Sequence, residues 1–339
     1  MSVSFKDALH RLEPKSEIDS GLVTEVFGAI LEGAWSPTQT AAFAIALRIK
    51  GESAAVIAAA ARALREHMIP LQHHEPRLLD TCGTGGDGMG SLNLSTGAAI
   101  IAAAAGARVA KHGNRAVSSK SGSADVLESL GIDIEQSPAR EAQVLGELGL
   151  VFLFAPRHHP ALRHVAQARK ELGVRTIFNC LGPLANPAKA THQLLGAYED
   201  ALRPVLAGTL VELGIERAWV VRGEDGMDEL SPFGPTRITV VQNGRLSEMS
   251  LRPEDFGLAP CVRGATDGGD AALNARILES VFEGVHHPSR NAFILNAAAA
   301  LAVYDDIPPR EAAERATLAL TSGAALAKLR AWQSYGKET

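Results

Sequence analysis

The chain has 339 residues, 46% hydrophobic and 21% charged, which allows one large or two ordinary domains around a substantial core. Its formal net charge of −5 argues against a general nucleic-acid or membrane-surface binder, so any polyanion must be held by local charge or metal. Cys82, Cys180 and Cys261 are far apart with no C-x-x-C pair, which indicates neither a disulfide framework nor a zinc cluster. With no signal-peptide pattern at the start and no apolar run long enough to span a bilayer, the expected location is the cytoplasm.

From Phe5 to Met68 the pattern is helical, with Leu22, Val23, Val26, Phe27, Ile30 and Leu31 forming a stripe at helical spacing. Ser36-Pro-Thr-Gln39 reads as a capping box with proline at the first helical position, Gly51 as a stop, and Ser53 as the cap of an alanine-rich helix. Residues 1–70 are therefore expected to form a small helical domain, its leftover apolar face a subunit contact. Pro70 and His73-His-Glu-Pro76 read as a linker into the rest, residues 71–339.

Leu78 and Leu79 lead into Asp80-Thr-Cys-Gly-Thr-Gly-Gly-Asp-Gly88, a loop whose glycines keep few Cβ atoms between a ligand and the backbone. Asn93-Leu-Ser-Thr96 offers caps for a helix through the following alanine- and isoleucine-rich run. Strand, glycine loop and helix N-terminus together predict an anion site. Gly83-x-Gly85-x-x-Gly88 formally matches the dinucleotide fingerprint, but about 20 residues on, where that pattern needs an acid, the chain has Lys111-His-Gly-Asn-Arg115. A P-loop fails for want of Lys-Ser or Lys-Thr after the last glycine. A merely structural turn would not need four glycines, an Asp and a capped helix.

The strand Ala107 to Ala110 is expected to end in cations, and Lys111 to Ser123 reads either as a disordered basic loop or, better, as a clamp that closes over phosphates and offers His112 and Asn114 to a neighbouring substrate. Val151 to Phe154 predicts a strand and Pro160 to Leu172 a helix. His158-His159 lacks a third metal ligand at a recognisable spacing, so a polar lining role is expected, and Arg163, Arg169 and Arg175 are surface charges unless an acidic ligand meets them. Further strands at Arg217 to Val221 and Arg237 to Val241 complete an α/β pattern with a mostly parallel sheet, whose ligands belong at the strands' carboxyl ends. In Gly223-Glu-Asp-Gly-Met-Asp-Glu229 the adjacent Asp228 and Glu229 would be a solvated acidic turn in isolation. Beside a phosphate loop they become a candidate Mg²⁺ site. From Ala271 on the chain is helical, with Asn296-Ala-Ala-Ala-Ala-Leu301 packing by size.

Four stretches now carry a resemblance: Gly83 to Gly88 with Asn93 to Thr96, Lys111 to Asp125, Arg175-Thr-Ile-Phe-Asn-Cys-Leu-Gly-Pro-Leu-Ala-Asn-Pro187, and Asp225 to Glu229. In them the chain resembles the anthranilate phosphoribosyltransferase family over essentially its full length. The resemblance implies a small N-terminal helical domain, completed by a helical segment near 160–180, on a large α/β domain, and a homodimer through the N-terminal helices. It implies that phosphoribosyl pyrophosphate is met by Gly83, Gly85, Gly86, Asp87, Asn93, Ser95, Thr96, Lys111 and Ser123, and anthranilate by Gly83, His112, Asn114, His159 and Arg169. Magnesium, as two ions, would be held through Ser95, Asp228 and Glu229, with no residue as an essential acid or base. Leu92 and Ala185 stand where Phe and Thr are common, a departure expected to alter packing only. A pyrimidine nucleoside phosphorylase shares the architecture but would not need the Asp228-Glu229 pair, and a non-catalytic nucleic-acid-binding relative would need a basic surface.

Overall fold

The computed structural model describes residues 3–13, 17–116 and 120–335. Four helices come first: α1 (Phe5–Leu12), α2 (Ser20–Leu31), α3 (Pro37–Lys50) and α4 (Ala54–Glu66). Each starts at a side chain that accepts a first-turn N–H, from Ser4, Asp19, Ser36 and Ser53 in turn. The expected capping box at Ser36 and Gln39 is formed, and α3 stops at Gly51.

The remainder alternates strand and helix: β1 (Leu79–Gly83), α5 (Leu94–Ala104), β2 (Val109–Gly113), α6 (Ser123–Ser129), α7 (Pro138–Leu148) and β3 (Leu150–Phe154). Next come α8 (Ala155–His158), α9 (Arg163–Leu172), α10 (Phe178–Leu184), β4 (His192–Gly196), α11 (Leu202–Glu212), β5 (Arg217–Gly223), β6 (Thr236–Gln242) and β7 (Arg245–Leu251). Four helices follow: α12 (Ala271–Phe282), α13 (Arg290–Asp305), α14 (Pro309–Thr321) and α15 (Ala324–Tyr335). Among the described residues no helix is long and apolar enough to cross a membrane.

The seven strands form one sheet in the order β3-β2-β1-β4-β5-β6-β7. The first five are parallel, and β6 and β7 add an antiparallel edge. The chain builds outward from β1 to β2 and β3, then returns to place β4 on the other side of β1. The crevice at the carboxyl ends of β1 and β4 is therefore the topological switch point, where open α/β sheets bind ligands.

Side chains alternate across the sheet: on β5, Trp219 and Val221 join the core under α5 and α13, while Ala218 and Val220 face the other core. That second core is continuous with the N-terminal bundle. It holds Phe27, Phe43 and Leu64 together with Val165 of α9, Phe178 and Leu181 of α10 and Leu206 of α11.

Several elements differ from the sequence reading. β4 was not foreseen, because His192 and Gln193 interrupt its apolar run, yet it is the strand beside β1. β7 was missed although Asn243 and Gly244, with φ of 50° and 73°, form the two-residue turn that closes a hairpin. β2 begins two residues later than expected and runs to Gly113, so Lys111 and His112 lie on the strand itself. Arg175 lies beyond α9, in the segment that leads to α10.

Candidate active site

The glycine loop leaves β1 at the switch point. Gly85, Gly86 and Gly88 have φ of 69°, 74° and 77°, a left-handed geometry that side chains resist, and Gly83, Gly85, Gly86 and Gly88 are all exposed. The loop after β5 folds across it. Gly85 N–H donates to Asp228 Oδ2 at 3.0 Å, and Asp228 N–H to Asp87 Oδ2 at 3.4 Å. This crossing needs the paired glycines Gly83 and Gly196 at the ends of β1 and β4. A Cβ on Gly196 would stand 1.5 Å from Asp228 O, and one on Gly83 2.5 Å from Asp228 Oδ2.

One residue on, Glu229 Oε1 accepts the Ser95 backbone N–H at 3.1 Å while Oε2 is buried with no protein partner. Ser95, Asp228 and Glu229 line a cavity of ≈ 10 Å³, close to the room one water needs, together with Thr81 and Asn296. Burial raises the Asp228 carboxyl to about 6, with repulsion from Asp87 adding to it. Burial also lifts Glu229 well above the ordinary range, helped by Asp228 and opposed by the Ser95 N–H. Acids so displaced are short of positive charge. Among the described residues no three His, Cys, Asp or Glu side chains form a closed metal cage, so a cation here would complete its shell with water or substrate oxygen, as Mg²⁺ does.

As Arg222 acts on Asp228, the Lys111 cation acts on Glu229. Its Nζ donates to Thr81 O and, at 3.2 Å, to Ser95 Oγ; burial lowers its pKa and the Asp80 charge opposes that. Arg115, at the end of the same cationic stretch, pairs with Glu128 and Asp125. Asn93 occupies the N-cap position of α5 but makes no capping bond. Its amide is drawn instead to Ser121 O at 3.3 Å and to Asn274 Nδ2 at 2.9 Å, which leaves the helix start to Glu229. Thr96 Oγ1 is buried and unpartnered. Asp125 pins both arms of the Lys111 to Ser123 stretch by accepting Ala116 N–H at 2.9 Å and Gly122 N–H at 2.8 Å, and Ser123 Oγ donates to Asn114 O at 3.3 Å. Residues 117–119 of the expected clamp lie outside the described residues.

A second group lies beside the first. The His112 and His159 rings are 5.0 Å apart, and both are buried. His112 Nδ1–H donates to Gly182 O at 2.9 Å, so its Nε2 carries a lone pair, which no protein group meets; neither His159 nitrogen makes a well-formed hydrogen bond, the Ala185 backbone offering the ring a weak one. Burial keeps both rings neutral, lowering His112 well below the usual value and His159 to about 4. His158, its neighbour in sequence, is structural instead, with Nδ1 on Ile69 O and Nε2 3.0 Å from Glu141. The Arg169 guanidinium is half-buried and makes no hydrogen bond or ion pair among the described residues.

Five residues with no site role in the sequence reading hold this arrangement. Asp80, fully buried, accepts the His112 N–H at 3.1 Å and an Asn186 N–H at 2.8 Å. Thr84 Oγ1 accepts Tyr198 N–H at 2.9 Å, which ties the glycine loop to the end of β4. Arg175 donates to Gly86 O and stacks 3.8 Å over the Tyr198 ring. All but Tyr198 lie in the glycine loop or the Arg175 to Pro187 stretch singled out in the sequence, and that placement was the one hint of them.

A helical bundle on an α/β sheet, with an exposed glycine loop and a carboxylate pair at the switch point, defines a glycosyltransferase class. Residues 75–326 match the glycosyl transferase family, a/b domain, and residues 6–68 the glycosyl transferase family, helical bundle domain. Anthranilate phosphoribosyltransferase of Anaeromyxobacter dehalogenans is 46% identical over 327 residues, 96% of this chain and 97% of that one. The crystal structure of the Thermus thermophilus enzyme of that name superposes with a TM-score of 0.91 at 41% identity, over 98% of this chain and 99% of that one. The Saccharomyces cerevisiae enzyme, solved in complex with phosphoribosyl pyrophosphate and Mg, gives 0.90 at 28% identity over 99% of each. The chain belongs to the anthranilate phosphoribosyltransferase family. Membership decides against the nucleoside phosphorylase alternative.

Proposed function

We propose that this chain transfers the 5-phosphoribosyl group of phosphoribosyl pyrophosphate to the amine of anthranilate with release of pyrophosphate, the second step from chorismate towards tryptophan. The observation that carries the reading is the ion-sized cavity between Ser95, Asp228 and Glu229, directly under the exposed glycine loop. In this reading Gly83, Gly85, Gly86 and Asp87 present the loop to the donor, with Asn93, Ser95, Thr96, Lys111 and Ser123 around its phosphates. Ser95, Asp228 and Glu229 would hold Mg²⁺, two ions in all, which when bound neutralises charge on the pyrophosphate leaving group.

The residues of the chain do the rest by position and charge. Loop N–H groups, the start of α5 and Lys111 stabilise negative charge that grows as pyrophosphate leaves. Arg169, without a carboxylate of its own, pairs with the anthranilate carboxylate, while neutral His112 and His159, with Asn114 and Gly83, line the ring and orient the amine. An aromatic amine is uncharged at pH 7, so no strong base is required, and His112 Nε2 serves as an acceptor for an amine N–H. Residues 1–70 with the segment near 160–180 act as the helical domain and, through the bundle, as the contact of a homodimer. Three free cysteines are in keeping with a reducing cytoplasm.

Anthranilate fluorescence tests the assignment. It should decay on mixing the protein with anthranilate, phosphoribosyl pyrophosphate and Mg²⁺, and chelation should stop the decay. A signal that stays constant with all three present would reject it.

A further inference from the structure

Asn296 lies on the first turns of α13, 2% exposed, at the head of a buried alanine run where an apolar residue would pack at no polar cost. Its side-chain amide instead mimics a peptide. Oδ1 accepts Leu230 N–H at 3.0 Å, and Nδ2 donates to Leu230 O at 3.2 Å and to Ala292 O at 3.0 Å. Both ends of the residue that follows Glu229 are thereby clamped to a helix.

Asn296 lines the same small cavity as Ser95, Asp228 and Glu229, but its donors are both engaged and its oxygen already holds Leu230. It therefore acts through its neighbours. The stretch from Glu224 to Leu230 has no regular secondary structure, and two of its ties to the rest of the fold, Asp228 to Gly85 and Glu229 to Ser95, use the carboxylates themselves. A cation would engage these same two carboxylates, Glu229 through the Oε2 that no protein group meets. The Leu230 clamp uses none of them, so it keeps the register when the carboxylates change partners.

We propose that Asn296 is a positioning residue that holds Asp228 and Glu229 in register for the cation, independently of the hydrogen bonds the carboxylates make. The inference rests on the reading of that pair as the Mg²⁺ site given above. A fold-only role would lower the melting temperature and leave metal affinity alone.

The test is binding of Mn²⁺, as a paramagnetic substitute for Mg²⁺, measured by electron paramagnetic resonance in the presence of phosphoribosyl pyrophosphate. Loss of a residue that orients metal ligands typically weakens affinity by roughly 10- to 100-fold, and the Mn²⁺ affinity of Asn296→Ala is expected to fall in that range. A folded Asn296→Ala protein with wild-type Mn²⁺ affinity overturns the proposal, whatever its melting temperature. Should Asn296→Ala not fold, Asn296→Ser, a small neutral side chain too short to hold both Leu230 groups, is read the same way. In the wild-type protein the Leu230 amide should resist hydrogen exchange with and without Mg²⁺ and donor; exchange at loop rates in either state also overturns it. If wild-type protein binds no Mn²⁺ at all, the metal reading of Asp228 and Glu229 has failed, and this inference falls with it.

Discussion

Glu229 Oε1 accepts the backbone N–H of Ser95 at 3.1 Å, so a loop after β5 caps the first turn of α5 through a residue 134 positions earlier in the chain. Asn93, at the N-cap position, gives no such bond. The carboxylate thus sits where the helix dipole favours negative charge, with its second oxygen free.

Glu229→Gln keeps the shape and the bond to Ser95 but removes the charge. Turnover at low Mg²⁺ should fall by about a hundredfold, the equivalent of about 3 kcal/mol, with partial recovery at high Mg²⁺. Mg²⁺ titration of initial rates measures it, and an unchanged titration curve would remove Glu229 from the metal site.

Gly196→Ala would force Asp228 O away from a position only 1.5 Å from the new Cβ. Because the neighbour is backbone, the whole carboxylate loop must shift, at a cost of about 3 kcal/mol, the upper end for overpacking. Urea denaturation should show that loss together with weakened Mg²⁺ dependence. A variant that matched wild type in both would mean that the loop does not need this approach.

Arg169→Ala should raise the KM for anthranilate and spare that for phosphoribosyl pyrophosphate. A half-buried cation paired with a carboxylate sets the effect near the low end of truncated charge pairs, about 2 kcal/mol or roughly thirtyfold. Steady-state kinetics with each substrate varied separates the two, and equal rises in both constants would deny Arg169 an acceptor role.

His159 titrates near pH 4 in the folded chain against 6.5 when exposed. Between those values the unfolded chain binds a proton that the folded chain refuses, so stability is complete above pH 6.5 and falls as pH drops towards 4. At pH 5 the loss from this one ring is about 2 kcal/mol. His159→Gln should flatten the pH dependence of the urea midpoint between pH 7 and 5 relative to wild type. An identical slope in the variant would show that the ring is not held neutral by burial.

Much of the architecture could be read from local signals. The capping box at Ser36, the stop at Gly51 and the glycine loop after Leu79 are governed by backbone sterics and near-neighbour hydrogen bonds, which a linear sequence states directly. Asp228 and Glu229 were found because adjacent acids in a glycine-bearing loop are unusual beside an anion site. β4 and Asn296 were not found as they function. A strand with His192 and Gln193 in it carries a weak apolar signal, and an asparagine ahead of four alanines looks like filler until its partner Leu230 is known.

By itself the sequence determined the helical start, the strand-helix alternation, the exposed glycine loop and the residue types at the site, since these depend on neighbours a few positions apart. Only the tertiary structure decided that Gly83 faces Gly196, that Glu229 rather than Asn93 caps α5, that Arg115 pairs with Glu128, and that His159 rather than His158 meets His112. Those outcomes join segments that are far apart along the chain. They depend on sheet register and burial, which no local pattern encodes.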